Sequence, residues 1–169
     1  MSEENFELKA NQLLHDLGQF LNLGELEFDP EDDTCTLVLD DTLEINITPN
    51  SESGVLVLHH LVGILPQENR QDILEQLLEA NLFWAGTKGA TISIERRSGS
   101  VFIMRSLTLY TSDGEPLNGE AFGNVIADIA GAAKYARSLL VPEAPYTLIS
   151  EEDQDGGNIK ERYDVSILN

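Results

Sequence analysis

The sequence predicts an α+β fold: a helix, three strands, a helix, two strands and a final helix, with the strands in an antiparallel sheet. Two observations predict it. Three segments space apolar residues three and four positions apart, as helices with a buried face do, while five short segments alternate with period two or are continuously apolar, as strands are. The 169-residue chain is long enough for one domain, which we place at residues 1–149, followed by an acidic, flexible tail at 150–169.

The first predicted helix covers about residues 3–21. Its main apolar stripe consists of Phe6, Ala10, Leu13, Leu17 and Phe20. Three further leucines lie off that stripe, namely Leu8, Leu14 and Leu21. We therefore expect this helix either to be buried on two sides or to carry a second contact surface.

The next three segments predict strands. Residues 35–39 and 43–48 alternate, and the short connection between them predicts a hairpin. The stretch VLVLHHLV that follows is almost continuously apolar, which favours a strand covered on both faces.

The middle helix is expected at residues 67–83, where apolar residues recur at helical spacing: Ile73, Leu74, Leu77 and Leu78. It passes directly into the apolar triplet LFW, where polar turn residues are usual. ATISIE and VFIMRSLTL then predict a second hairpin around the turn RRSGS. The last helix has Asn118 as its predicted N-cap and a regular stripe of Phe122, Ile126, Ile129, Ala133, Ala136 and Leu140.

Charge limits the classes of partner. The chain has 30 acidic and 10 basic residues, a net charge of -20, which disfavours binding of nucleic-acid phosphates. The N-terminus is acidic where a signal peptide is basic and then apolar, and no run of about 18 apolar residues occurs. We expect a cytoplasmic protein that binds no nucleic acid and does not insert into membranes, and the single cysteine fits a reducing compartment.

No pattern predicts catalysis, a metal site or a cofactor. The adjacent His59 and His60 on a strand point to opposite faces, so they cannot serve one site. Cys35 falls on the apolar face of its strand, where a buried hydrophobe is favoured over a catalytic thiol. The acidic run DPEDD lacks the ligand spacing of a calcium loop, and WAGTKGA lacks that of a phosphate loop.

A surplus of apolar residues on the first helix and after the middle helix remains unexplained. One interpretation is that both helices are well buried in a monomer. The other is that one surplus forms a subunit interface and the other receives a client peptide.

Four phrases resemble the class I chaperones of type III secretion, the Tir chaperone family: LGELEFDPEDDTCTLVLDD, VLVLHHLVGILP, LLEANLFWAGTKGATISIE and FGNVIADIAGAAKYARSLL. The resemblance covers roughly residues 4–141 and includes the order of helices and strands. It implies a non-enzymatic, acidic homodimer in the cytoplasm that takes part in virulence-associated protein transport. Such a dimer binds the N-terminal segment of a secreted effector in extended form, and the export ATPase of the secretion apparatus is a further candidate partner.

The resemblance also implies site residues. Expected client contacts are Leu14, Leu21, Leu37, Leu39 and Ile45, from the first helix and first strands. The expected dimer interface consists of Leu74, Leu78, Leu82, Phe83, Trp84 and Ile103.

Two other classes of function remain as alternatives. An acidic inhibitor or nucleic-acid mimic would place its carboxylates in a basic site on another protein. Its binding would weaken steeply with salt, whereas capture of an apolar segment would change little. A small-molecule binder or enzyme on the same scaffold would need a closed pocket that brings His59 or His60 together with Cys35.

Overall fold

The structure is a computed structural model that describes residues 3–40, 42–141 and 162–165. Within these residues the helices are α1 (Glu3–Leu21), α2 (Arg70–Asn81) and α3 (Gly119–Leu140), and the 3₁₀ helix Leu82–Trp84 follows α2 directly. The strands are β1 (Cys35–Leu39), β2 (Leu43–Asn50), β3 (Val55–Ile64), β4 (Thr91–Ile94), β5 (Ser100–Thr108) and β6 (Arg162–Val165).

The strands form one sheet in the order β4-β5-β3-β2-β1-β6. The first hairpin pairs Cys35 with Ile47 and Leu39 with Leu43, so the apolar residues of β1 and β2 face the same side. All pairs among β1 to β5 are antiparallel, and this confirms the predicted fold class. β6 is the exception, since it lies parallel to β1.

One face of the sheet packs against the helices. α3 contacts α1, α2, β3 and β5, so it lies at the centre of the core. Its start has the predicted N-cap: the Asn118 side chain accepts a hydrogen bond from the Ala121 backbone N–H at 2.9 Å. The apolar stripe predicted for this helix is buried along its whole length.

Burial on α1 differs from the predicted stripe. Leu14 and Leu21 are buried, whereas Phe20 is 45% exposed and Leu8 is 70% exposed. The buried face of α1 is therefore wider than the predicted stripe, since it includes Leu14 and Leu21. It does not include Phe20, the last residue of that stripe. The reason is that α3 packs against α1, so that the buried face of α1 widens beyond a single stripe.

The bounds of the middle helix and the burial of β3 also differ from expectation. The middle helix begins at Arg70 rather than residue 67, and its α-helical part ends at Asn81. β3 alternates between buried and half-buried residues, so the expectation that both of its faces are covered was wrong for this chain. Of the tail expected at residues 150–169, the structure describes only β6. The remaining residues of that tail lie outside the described residues.

Candidate functional site

The most exposed apolar surface lies where α2 ends. We call it the helix-end patch and define it as Leu78, Leu82, Phe83 and Trp84, with exposures of 67%, 58%, 88% and 57%. Leu78 and Leu82 are four residues apart and so lie on one side of the helix. Four adjacent large apolar residues exposed at one place indicate a surface that contacts another molecule.

The backbone of the helix-end patch is strained. Phe83 and Trp84 have φ angles of 52° and 54°, in the left-handed region that bulky residues rarely adopt. Each such residue costs about 1 to 2 kcal/mol. Strain of this kind persists only where surrounding contacts hold it, and it is concentrated at functional sites.

Buried residues just beyond the patch hold this strained turn. A Cβ atom added to Gly86 would lie 3.0 Å from the Ala80 Cβ and 3.1 Å from the Tyr135 Cε1, so a larger residue would fit only if these neighbours shifted. Thr87 and Ala90 are fully buried. The turn is therefore tied to the body of the protein while its two aromatic residues remain in solvent.

The side chain of Asn81 ties the end of α2 to the sheet. It accepts a hydrogen bond from the Ile92 N–H at 2.8 Å and donates one to the Ile92 carbonyl at 3.2 Å. Ile92 belongs to β4, the first strand in the sheet order. Asn81, the last residue of α2, thus covers part of the β4 edge.

Charged groups hold the far side of the turn. Arg105 donates a hydrogen bond to the Lys88 carbonyl at 3.0 Å, and both Lys88 and Arg105 form ion pairs with Asp128, at 3.4 and 3.6 Å. The ion pairs are partly exposed and contribute little stability each. Their geometry nevertheless fixes the turn to α3 and β5.

A second apolar surface lies on the face of the sheet opposite the core. Its side chains are half-buried and alternate along β3 and β5 with side chains of the core. We call this surface the open sheet face and define it as Val57, His59, Leu61, Phe102 and Met104. The rings of His59 and Phe102 meet edge to face, with centroids 6.5 Å apart. Its apolar character gives it the capacity to pack against a partner.

The structure places the expected client contacts in the core. These five side chains are between 0% and 6% exposed: Leu14, Leu21, Leu37, Leu39 and Ile45. They come together, but inside the chain, so they do not line an open groove as expected. The physical reason is that the apolar face of β1 and β2 and the buried face of α1 both belong to the core.

The expected dimer residues divide into two groups. Leu78, Leu82, Phe83 and Trp84 are exposed together, whereas Leu74 is partly buried and packs against the core. Ile103 is fully buried, so its placement at an interface is corrected.

The period of two explains the error at Ile103. Its neighbours Phe102 and Met104 point to the open sheet face. Neither residue was predicted from the sequence, because the alternation of VFIMRSL shows two different faces but not which of them is buried.

In the part of the chain that the structure describes, Cys35, His59 and His60 do not form a catalytic arrangement. Burial raises the pKa of the Cys35 thiol to about 12, so it stays protonated at neutral pH. His60 is buried, and its Nδ1 lies 2.7 Å from the Glu44 carbonyl, which accepts the hydrogen bond. Among the described residues, no three His, Cys, Asp or Glu side chains come close enough to hold a metal ion.

One cavity of about 320 Å³ lies beside the start of α1. Its lining includes Phe6 and Phe28 together with the carboxylates of Glu3, Glu7 and Asp33. Cys35, His59 and His60 are not among its lining residues. The closed pocket that a small-molecule enzyme would require is therefore not formed by these groups.

Comparisons with known proteins show the same fold. The solved structure of the HopA1–SchA chaperone–effector complex contains a chain 21% identical to this one, with a TM-score of 0.56, covering 79% of this chain and 94% of that chain. For the ExsC–ExsE complex the identity is 21% and the TM-score 0.61, covering 79% and 95%. For the Yersinia pestis type III secretion chaperone SycH in complex with a fragment of YscM2, they are 20% and 0.57, covering 73% and 96%.

Among curated proteins, no sequence matches the chain closely. No helix in the described part of the chain is long and apolar enough to cross a membrane. A model of the Tir chaperone protein (CesT) family matches residues 12–135. That match spans more than half of the chain and confirms the resemblance seen in the sequence, so the chain belongs to the Tir chaperone protein family.

Proposed function

We propose that this chain is a cytoplasmic, non-catalytic chaperone of type III secretion that binds the N-terminal segment of a secreted effector in an extended, non-globular form. The observation that carries the proposal is the family match over residues 12–135. Family and fold together suggest a non-enzymatic role. The similar structures include a chaperone–effector complex and a type III secretion chaperone, and we carry that role over to this chain.

The described surface supports binding of an extended segment. The open sheet face presents half-buried apolar residues over two neighbouring strands, and an extended chain can place alternate side chains against such a surface. Since the expected contacts on α1, β1 and β2 are buried, we propose that Val57, Leu61, Phe102 and Met104 take their place. A client held this way is kept from aggregating.

We also propose that the chain is a homodimer, with the helix-end patch as the centre of the interface. Phe83 and Trp84 are exposed aromatic residues, and aromatic residues are typical of interface positions where a few residues supply most of the affinity. Both side chains are exposed in a single chain, and both residues have a strained, left-handed backbone. These two observations support the assignment. The dimer would bury Leu78 and Leu82 around them.

Light scattering tests the dimer. We expect the wild type to have twice the 18.6 kDa mass of one chain at micromolar concentration. Phe83→Ser combined with Trp84→Ser should raise the dissociation constant roughly 100-fold or more, because both anchors are lost. The control is Leu8→Ser, which removes an exposed leucine outside the helix-end patch and should leave the dimer intact. A monomeric wild type would contradict the proposed dimer.

Co-expression tests the client. The partner to try is the N-terminal segment of the protein encoded beside this chain, carried on an affinity tag. We expect a complex in which the segment is protease-sensitive when alone and protected when bound. Phe102→Asp with Met104→Asp should abolish capture while the chain stays folded, since both side chains are outside the core. Unchanged capture would contradict the assignment of the open sheet face.

Salt separates this function from acidic mimicry. Capture through apolar contacts should survive 1 M salt, where the Debye length is only about 3 Å. Loss of the complex at that salt concentration would favour an acidic inhibitor instead. The export ATPase is proposed as a further partner, and a pull-down with the purified ATPase tests it separately.

A further inference from the structure

The antiparallel part of the sheet, β1 to β5, has β4 and β1 as its outer strands, and the chain covers part of each in a different way. At β4 the Asn81 side chain occupies the backbone groups of Ile92. At β1 a strand from the C-terminal region, Arg162–Val165, pairs in parallel with the outer side. An exposed strand edge is a template for pairing with other chains, so closing it prevents non-specific association.

The pairing at β1 is nearly complete. Its register runs from Thr36 opposite Arg162 to Leu39 opposite Val165, which leaves only the first residue of β1 without a counterpart. β1 is therefore an inner strand of the sheet although it begins the antiparallel part. The occupant is four residues long and lies at the far end of the sequence.

We propose that Arg162–Val165 is a built-in occupant of the β1 edge, which an extended partner segment must displace in order to pair there. This inference rests on the proposed function, because the displacing segment would be the client. Strand pairing uses backbone groups, so one edge can accept both the chain's own segment and a foreign one. The covalent connection keeps the occupant available at every protein concentration.

The pairing is suited to displacement. Four residues form few backbone hydrogen bonds, and each contributes little net stability. Parallel pairing is also slightly weaker per residue than antiparallel pairing. A segment that also pairs with the first residue of β1, or one that binds in the antiparallel direction, can therefore pair slightly more strongly than the occupant and replace it.

Hydrogen exchange on the full chain tests whether the edge is closed. The variant combines Tyr163→Pro with Asp164→Pro. Adjacent residues of a strand point their N–H groups to opposite sides, so one of these two residues donates toward β1. Replacing both by proline removes that donor, whichever residue it belongs to. The amides of β1 that do not pair with β2 should exchange about tenfold faster in this variant than in the wild type. The control, Gln154→Pro with Asp155→Pro, should behave like the wild type.

A labelled peptide tests competition for the edge. The probe is a synthetic peptide with the chain's own sequence from residues 158–167, NIKERYDVSI. Fluorescence anisotropy should show at least about tenfold tighter binding to the Tyr163→Pro/Asp164→Pro variant than to the wild type, since its edge is vacant. Equal binding to the two proteins, or equal β1 exchange rates, overturns the proposal.

The co-expressed client segment separates this inference from the proposed function. Tighter capture by the proline variant supports displacement of the occupant. Equal capture by both proteins would leave the chaperone function intact and overturn displacement. If neither protein captured the segment while exchange and peptide binding changed as expected, the proposed function would fail and closure of the edge would stand.

Discussion

Two regions of this chain carry more large apolar residues than a single helix face requires, and the fold treats them differently. On α1 two of the three additional leucines, Leu14 and Leu21, are buried, because α3 packs against the helix and widens its covered face, and only Leu8 stays exposed. At the end of α2 the helix-end patch stays in solvent. An excess of apolar residues on a helix therefore indicates an additional contact, and the neighbouring elements decide whether that contact is internal.

The largest expected effect tests the buried side of this comparison. Leu14→Ala should lower the free energy of unfolding by about 3 kcal/mol, because it leaves a cavity in the core. Leu8→Ala makes the same change on the same helix at a side chain 70% exposed, and should stay within about 0.5 kcal/mol of the wild type. Urea unfolding followed by circular dichroism measures both. Similar losses for the two variants would contradict the placement of α1.

The second effect concerns the support of the helix-end patch. Asn81→Ala removes both hydrogen bonds to Ile92 and should cost about 1 to 3 kcal/mol of unfolding free energy. Exchange of the Ile92 amide should become faster, because its acceptor is gone. Asn11→Ala is the control, since its exposed side chain bonds only a carbonyl within its own helix. An unchanged Ile92 exchange rate would refute the role assigned to Asn81.

The third effect compares the two faces of β3. Burial, above all, lowers the pKa of His60 below its ordinary value of 6.5, while the hydrogen bond to Glu44 opposes this and the charges of His59 and Arg137 reinforce it. As pH falls below about 6.5 the unfolded chain binds the proton first, so stability decreases, by at most about 1.4 kcal/mol per pH unit for this group. Urea unfolding between pH 7.5 and 5 is expected to show this loss.

The matched variants for this third effect are His60→Asn and His59→Asn. Asparagine at position 60 retains a donor for the Glu44 carbonyl but does not titrate, so the pH dependence should flatten. At position 59, which is half-buried on the open sheet face, the flattening should be smaller. Equal pH profiles for wild type and His60→Asn would show that His60 does not carry the effect.

The smallest effect lies beneath the strained turn. Thr87 is fully buried, and within the described part of the chain its hydroxyl has no hydrogen-bond partner. Thr87→Val keeps the shape and removes the unpaired group, so the free energy of unfolding should rise by up to about 1 kcal/mol. Thr91→Val, at an exposed position on β4, is the comparison. A loss of stability at position 87 would show that the hydroxyl has a partner.

Local patterns were sufficient for much of the fold. The first hairpin, the N-cap at Asn118 and the stripe of α3 follow from alternation, capping chemistry and helical spacing, all of which act between residues close in sequence. The position of Leu14 could not be predicted in the same way. Its burial depends on where α3 lies, and α3 is about a hundred residues further along the chain.

The candidate site was predicted only in part. The triplet at residues 82–84 indicated a contact surface because apolar residues replaced the usual turn residues. The open sheet face was missed, since alternation shows that two faces differ but not which one is covered. The predicted client contacts were buried for the same reason.

The sequence by itself determined the order of the helices and strands from α1 to α3, the family and the apolar character of the end of α2, because these depend on local spacing and residue type. Only the tertiary structure decided which apolar residues reach solvent. It also placed Arg162–Val165 beside β1 and Asn81 beside Ile92. Such pairings depend on which backbone groups remain open after the sheet has formed, and no local pattern contains that information.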